Sequence, residues 1–185
     1  MKLISDYHEV AQAFDTFKSA VVDQGTPHPD IRVGWQGGFV SDTVYWFQRA
    51  NVWCLPLRSP PKKPDELRHW ICFGTSSPAE KFQHSIALEI NPPHSGSGKG
   101  PSGAFLKDDQ GQLFIAHSGK VGGGRKGMTR EAFLNFCSLD PQQHVPERNQ
   151  DMFAFGPIGS NGWIVDLGQY VHEVAAFKAK FKRPS

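Results

Sequence analysis

Apolar residues near the start of the chain recur at the spacing of one helical face. Four of them lie four, three and four positions apart: Val10, Phe14, Phe17 and Val21. This spacing predicts an amphipathic α-helix within residues 1–25. Ser5 or Asp6 suits its N-cap, and Gly25 followed by Pro27 should end it. We expect the apolar face of this helix to pack on a sheet.

After this helix the pattern changes to short runs rich in β-branched and aromatic residues, which are typical of strands. The predicted strands are 31–35, two strands within 43–57 with a turn near 49–51, 68–73, 85–90, 104–107, 112–117, 151–158 and 163–165. A short helix is predicted from Thr129 or Arg130 to Cys137, with Thr129 as a good N-cap. The last predicted helix covers about residues 167–181.

Strands and helices do not alternate regularly along the chain, which argues against a doubly wound parallel sheet. Short hairpin links favour an α+β fold, with a mixed, mostly antiparallel sheet that is curved or barrel-like and has helices at its edges. The length of 185 residues and the apolar fraction of 38% predict a single domain over 1–185. Its expected parts are the helix in 1–25, a sheet with glycine-rich loops and one helix in 31–166, and a C-terminal helix with a basic tail in 167–185.

A glycine-rich loop follows the predicted strand 112–117 and leads into the helix at Thr129. Residues 119–129 contain five glycines and the cations Lys120, Arg125 and Lys126. Glycine lets backbone N–H groups turn towards a guest, and the start of a helix adds unpaired donors, so the loop suits a phosphate or another anion. The alternative is a surface loop whose cations only maintain solubility. The Walker A pattern is incomplete, so we do not expect nucleotide hydrolysis.

A second loop, residues 95–103, carries four glycines around Lys99. The strands 104–107 and 112–117 form a predicted hairpin that joins the two loops. Residues before the first strand of an antiparallel hairpin lie near those after the second, so both loops should emerge at one end. The predicted contacts to nucleic-acid phosphates are Lys99, His117, Ser118, Lys120, Gly122, Gly123, Gly124, Arg125, Lys126 and Arg130.

Charge is unevenly distributed along the chain, although the net charge is only +2. Residues 94–130 contain six cations against two acids, and the C-terminal tail adds four more cations. Most acids lie elsewhere, which favours a two-faced charge distribution with one side suited to an anionic partner.

A catalytic alternative rests on Glu89, His117 and Lys120. Glu89 lies within the apolar strand 85–90, where a carboxylate should pair with a cation, and Arg125 is one candidate for a simple salt bridge. The acid-x-Lys pattern of a metal-dependent nuclease is missing after Glu89. The sequence leaves catalysis open and favours a protein that is not an enzyme, for which no cofactor is expected. If it is one, it is a phosphodiesterase or nuclease that uses a divalent metal.

The aromatic residues offer either base-stacking surfaces or sheet core. The candidates are Trp35, Tyr45, Trp46, Trp53, Trp70 and Trp163. Alternation along a strand places Tyr45 and Phe47 on the face opposite Trp46, so at least one face of this run needs a second layer or a ligand.

The three cysteines, Cys54, Cys72 and Cys137, are odd in number and lack a CxxC spacing, which favours reduced thiols in the cytoplasm. No apolar run reaches about 18 residues, so no membrane span is expected. Asp6 and Glu9 lie too early for the apolar core of a signal peptide.

Residues 85–127, about a quarter of the chain, carry a resemblance in four stretches: 85–93, 103–105, 108–111 and 117–127. They resemble modules found near bacterial restriction-type and DNA-repair nucleases. The resemblance implies DNA engagement, including the reading of modified DNA, and a partner nuclease or defence protein. Because no HNH or PD-(D/E)xK pattern accompanies these stretches, the resemblance implies a reader or accessory part rather than a cutter.

The sequence therefore predicts a nucleic-acid-binding module that reads DNA through a phosphate-binding loop. Two alternatives stay open. One is the phosphoester-cleaving enzyme described above. The other is a protein–protein module of a defence or anti-defence system that uses aromatic surface.

Overall fold

The computed structural model of the chain describes residues 1–33, 42–58, 69–75, 85–90, 103–118 and 152–180. Within these residues, two helices pack against one face of a nine-stranded sheet. The elements are β1 (Lys2–Leu3), α1 (Tyr7–Gln24), β2 (Thr26–Val33), β3 (Asp42–Phe47), a 3₁₀ turn (Gln48–Ala50), β4 (Val52–Arg58), β5 (His69–Gly74), β6 (Ser85–Ile90), β7 (Gly103–Lys107), β8 (Leu113–Ser118), β9 (Met152–Phe155) and α2 (Asn161–Lys180).

The strands follow the order β2-β3-β4-β5-β6-β7-β8-β9, and β1 also pairs with β7. Among the strands that the structure describes, all pairings are antiparallel except that of β6 with β7, which run parallel where Ile90 meets Gly103. The α+β prediction with a mixed, mostly antiparallel sheet is therefore confirmed. Of the two shapes left open, the sheet is not a closed barrel, because β2 and β9 end it without pairing to each other in the described ranges.

Helix α1 begins and ends where its sequence predicts. The Asp6 carboxylate accepts hydrogen bonds from the backbone N–H groups of His8 at 2.9 Å and Glu9 at 3.1 Å, so Asp6 is the N-cap. At the other end the Gly25 N–H donates to the Val21 carbonyl at 2.9 Å. The stripe Val10, Phe14, Phe17 and Val21 is buried against the sheet, as predicted.

Replacing Asp6 by alanine should lower the free energy of unfolding by about 1 kcal/mol, because two N–H groups of the first turn lose their acceptor. Chemical denaturation at neutral pH measures the change. Ser5→Ala is the matched control, since Ser5 neighbours the cap and takes no part in it. Equal losses for both variants would contradict the assignment of the cap.

Both faces of the sheet carry clusters of buried residues. One face packs on the helices through residues such as Ile71, Phe73 and Phe105. The opposite face buries a second cluster: Val44, Trp53, Leu55, Leu57 and Cys72, with Trp46 and Trp70 half-buried against it. The aromatic run of β3 and β4 thus has buried residues on each of its faces. This agrees with the expectation that at least one face needs a second layer or a ligand.

Two sequence predictions about element bounds are wrong. The predicted strand 163–165 and a helix starting at residue 167 are replaced by one helix, α2, that begins at Asn161. Trp163 is 1% exposed and packs 5.6 Å from the Phe17 ring, so tertiary packing outweighs the strand preference of the Trp-Ile-Val triplet. The strand predicted at 31–35 begins earlier, at Thr26, where β2 is an edge strand that tolerates proline. The helix predicted to end at Cys137 lies outside the described residues.

Candidate nucleic-acid interface

One line of paired residues crosses six strands near one end of the sheet. Each residue pairs directly with the next: Arg58, His69, Ile90, Gly103, His117 and Phe153. We call this line the loop-end row. Strands in a sheet lie about 4.8 Å apart, so the row extends over about 24 Å.

Three segments of the chain leave the described strands at or next to the loop-end row and return beside it. They are 59–68 between β4 and β5, 91–102 between β6 and β7, and 119–151 between β8 and β9. The predicted hairpin is confirmed as β7 and β8, with Gly103 opposite His117. The ends of both predicted loops are therefore neighbours, because β7 begins at the row and β8 ends one residue beyond it.

Most of the predicted phosphate contacts lie outside the described residues. These are Lys99, Lys120, Gly122, Gly123, Gly124, Arg125, Lys126 and Arg130. His117 and Ser118 are the last two residues of β8, at the point where the glycine-rich loop begins. The strands thus place the entry to that loop, and His117 belongs to the loop-end row itself.

The catalytic alternative depends on Glu89 and His117 acting together. Glu89 lies in β6 and pairs with Trp70, one position before the loop-end row. His117 belongs to the row, two strands away. The register therefore does not bring the two positions into one cross-strand line, and Lys120 lies outside the described residues.

Sequence reasoning missed a charged pair at the β4 end of the row. Arg58 Nη2 donates to Asp15 Oδ1 of helix α1 at 2.6 Å, and the Arg58 guanidinium lies 5.5 Å from the centre of the Phe14 ring. The two side chains are 38% and 64% exposed. The partners are 43 positions apart in sequence, so no local pattern announces their contact.

Beside Arg58 in the row lies His69, which is fully buried. Its ring centre lies 4.6 Å from that of Phe14, and neither ring nitrogen has a hydrogen-bond partner among the residues that the structure describes. Burial, helped by the nearby Arg58 charge and opposed by Asp15, lowers the pKa of His69 from 6.5 to about 4. His69 is thus a neutral, buried imidazole at neutral pH.

Because the unfolded chain binds this proton near pH 6.5 and the folded chain only near pH 4, stability should fall as pH drops through that window. Protonation of His69 should lower the free energy of unfolding by about 3 kcal/mol at the acid end of this window. Denaturant unfolding of the protein and of His69→Phe at pH 7.5, 6.5, 5.5 and 4.5 measures it, and the variant should show the shallower loss. His8→Gln, at an exposed position of α1, should behave like the unsubstituted chain. Parallel pH profiles for the protein and His69→Phe would contradict the assignment.

None of the described tryptophans offers a freely exposed ring. Trp53 and Trp163 are 2% and 1% exposed, and Trp46 and Trp70 are half-buried. These rings serve the sheet core first, and the base-stacking interpretation has no exposed ring among them. Trp35 lies outside the described residues.

The described cysteines are structural in position. Cys54 and Cys72 are free and buried, and burial raises the pKa of the Cys72 thiol to about 12. Both thiols therefore stay protonated, and neither is an activated nucleophile. Within the described ranges, no group of three or more His, Cys, Asp or Glu side chains is arranged to hold a metal ion.

The fold defines an α+β protein with an open, mixed sheet. Along the loop-end row of this sheet, three segments of the chain leave the described strands and return to them. No family model, curated protein or solved structure matches the chain. The helices in the part of the chain that the structure describes include none that is long and apolar enough to cross a membrane.

Proposed function

We propose that the chain is a nucleic-acid-binding module that holds DNA phosphates between the second loop and the glycine-rich loop. The observation that carries the proposal is the pairing of Gly103 with His117, next to the pairing of Gly103 with Ile90. It sets the two strand ends that flank the segment 91–102, which carries Lys99, beside the entry to the glycine-rich loop. The chain returns to the sheet at Met152, the first residue of β9, which is the strand next to β8.

The composition of the two loops supports a polyanionic ligand. Residues 91–102 contain Lys99 and no acid, and residues 119–130 contain four cations and no acid. Lysine and arginine that neutralise phosphates release counterions from DNA, which supplies most of the affinity of non-specific binding. Glycine backbone N–H groups add uncharged donors to the same phosphate oxygens.

In this proposal the loops position the nucleic acid and do no chemistry on it. Lys99, Lys120, Arg125, Lys126 and Arg130 contact phosphates, together with the backbone amides of Gly122 to Gly124. Phosphate contacts fix register and orientation without reading sequence. Selection of a base or a modified base, which the resemblance to nuclease-associated modules implies, would need further contacts.

The double variant Arg125→Ala/Lys126→Ala should weaken binding to duplex DNA and reduce the slope of log K against log salt by about 1.8, because two phosphate contacts are lost. Fluorescence anisotropy of a labelled 16-base-pair duplex over 50–300 mM KCl measures both quantities. The same titration with single-stranded DNA and with RNA gives the preferred partner.

Lys2→Ala/Lys107→Ala is the matched control. It removes the same charge from two exposed residues that pair with each other at the opposite end of β7. Its salt slope should stay near that of the unsubstituted protein. Equal slopes for all three proteins would reject the proposed loop contacts. Magnesium-dependent cleavage of the duplex that is lost in Glu89→Gln would instead support the enzyme alternative.

A further inference from the structure

Arg58 occupies the loop-end row two strands away from Ile90, after which the segment 91–102 that carries Lys99 begins. The Arg58 side chain is 38% exposed, and the side chain of its partner Asp15 is 64% exposed. Ion pairs this exposed contribute little to stability, so a competing anion displaces the carboxylate at small cost.

The guanidinium is also oriented before any ligand arrives. It lies 5.5 Å from the centre of the Phe14 ring, and Phe14 is buried in the core between α1 and the sheet. Arginine binds phosphate through two parallel hydrogen bonds, and a guanidinium held by an aromatic ring loses less freedom when it does so.

We propose that Arg58 is a further phosphate contact of this interface, that Asp15 occupies it in the unbound protein, and that the ligand is a nucleic acid long enough to reach from β4 to β8. This inference rests on the proposed function. It adds a residue from outside both glycine-rich loops and sets a minimum length for the ligand.

The minimum length of the ligand follows from the spacing of the strands. Four strand spacings separate β4 from β8, or about 19 Å. Phosphates along one strand of a DNA duplex advance by about 3.4 Å per base pair. A duplex therefore needs about six base pairs to reach from Arg58 in β4 to the end of β8, where the glycine-rich loop starts, and a mononucleotide cannot do so.

The experiment compares Arg58→Ala and Asp15→Asn in the same salt titration, on a 16-base-pair duplex and on a hairpin with a four-base-pair stem. On the long duplex, Arg58→Ala should reduce the salt slope by about 0.9, the value for one phosphate contact. Asp15→Asn should bind two- to fivefold more tightly, because Arg58 no longer has a competing carboxylate. On the short stem, Arg58→Ala should leave the slope unchanged.

Each variant has a control of equal charge change at the far end of the sheet. Lys107→Ala matches Arg58→Ala, and Asp109→Asn matches Asp15→Asn, since both control residues are exposed and lie in or next to the β7–β8 turn. Both Arg58→Ala and Asp15→Asn break the same ion pair. A purely structural role of that pair would therefore shift their affinities in the same direction, whereas a phosphate contact shifts them in opposite directions.

The outcomes separate this inference from the function on which it rests. If Arg125→Ala/Lys126→Ala lowers the slope and Arg58→Ala behaves like Lys107→Ala, the loops bind nucleic acid and the role of Arg58 is rejected. An Arg58→Ala effect that persists on the short stem rejects the length requirement. If no variant alters a salt-dependent affinity, both the inference and the proposed function are wrong.

Discussion

Replacing Phe17 by alanine is expected to lower the free energy of unfolding by about 3–5 kcal/mol. Phe17 is 0% exposed in the middle of α1. Its ring lies 6.5 Å from Phe73, 6.2 Å from Phe105 and 5.6 Å from Trp163, which belong to β5, β7 and α2. Truncation leaves a cavity where four elements meet, and such a site collapses poorly. Urea unfolding followed by tryptophan fluorescence and circular dichroism measures the loss.

Val22→Ala in the same helix is the control. Val22 is 45% exposed, so its truncation removes little buried surface and should change the free energy of unfolding by less than about 0.5 kcal/mol. A loss of under 1 kcal/mol for Phe17→Ala would show that α1 does not pack at the centre of the core.

The second large effect is expected from Gly74→Ala, at the end of β5. Gly74 pairs with Trp53, and a Cβ added to Gly74 would overlap the Trp53 indole ring. Trp53 is only 2% exposed, so its ring cannot turn into solvent without losing its buried contacts. Overpacking of this kind displaces backbone as well as side chains, and we expect a loss of about 3 kcal/mol. Thermal and denaturant unfolding measure it.

Gly162→Ala provides a glycine-to-alanine control at an open position. A Cβ there meets no atom of the described residues within 4 Å, and the residue lies in helix α2, where alanine is the better helix former. This variant should be stabilised, by up to about 1 kcal/mol. Combining Gly74→Ala with Trp53→Leu should cost less than the two single losses together, since the smaller side chain vacates the overlapping volume. Additive losses would contradict the clash.

Elements that depend on short-range patterns were predictable from the sequence. Helix α1 was recognisable from four apolar residues on one face and from Asp6 at its start, and the β7–β8 hairpin from two strands around a turn that contains Gly111. The strand β6 coincides with its predicted bounds. In each case the information lies within about 18 neighbouring residues, where side-chain periodicity and turn chemistry act directly.

Helix α2 shows where such patterns fail. The run from Gly159 to Gly162 favours a turn, and the run from Trp163 to Val165 favours a strand. The helix nevertheless begins at Asn161. Burial of Trp163 against Phe17, which is far away in sequence, decides between the two conformations. A contact at that separation leaves no trace in local propensity.

The candidate interface also has a part that the sequence predicts and a part that it does not. The hairpin alone was enough to predict that the second loop and the glycine-rich loop start from one end of the sheet. Arg58, Asp15 and His69 were not predictable, because their contacts join β4, α1 and β5, and an isolated arginine or histidine carries no positional signal.

The sequence by itself determined the amphipathic helix α1, the β7–β8 hairpin, the cationic loops without acids and the α+β class. Each of these depends on the order of neighbouring residues. Only the tertiary structure decided that β6 and β7 meet in parallel at Ile90 and Gly103, and that six strands align in the loop-end row. Strand order and register depend on which side chains the sheet buries on its two faces. This burial depends together on residues as far apart in sequence as Arg58 and Phe153.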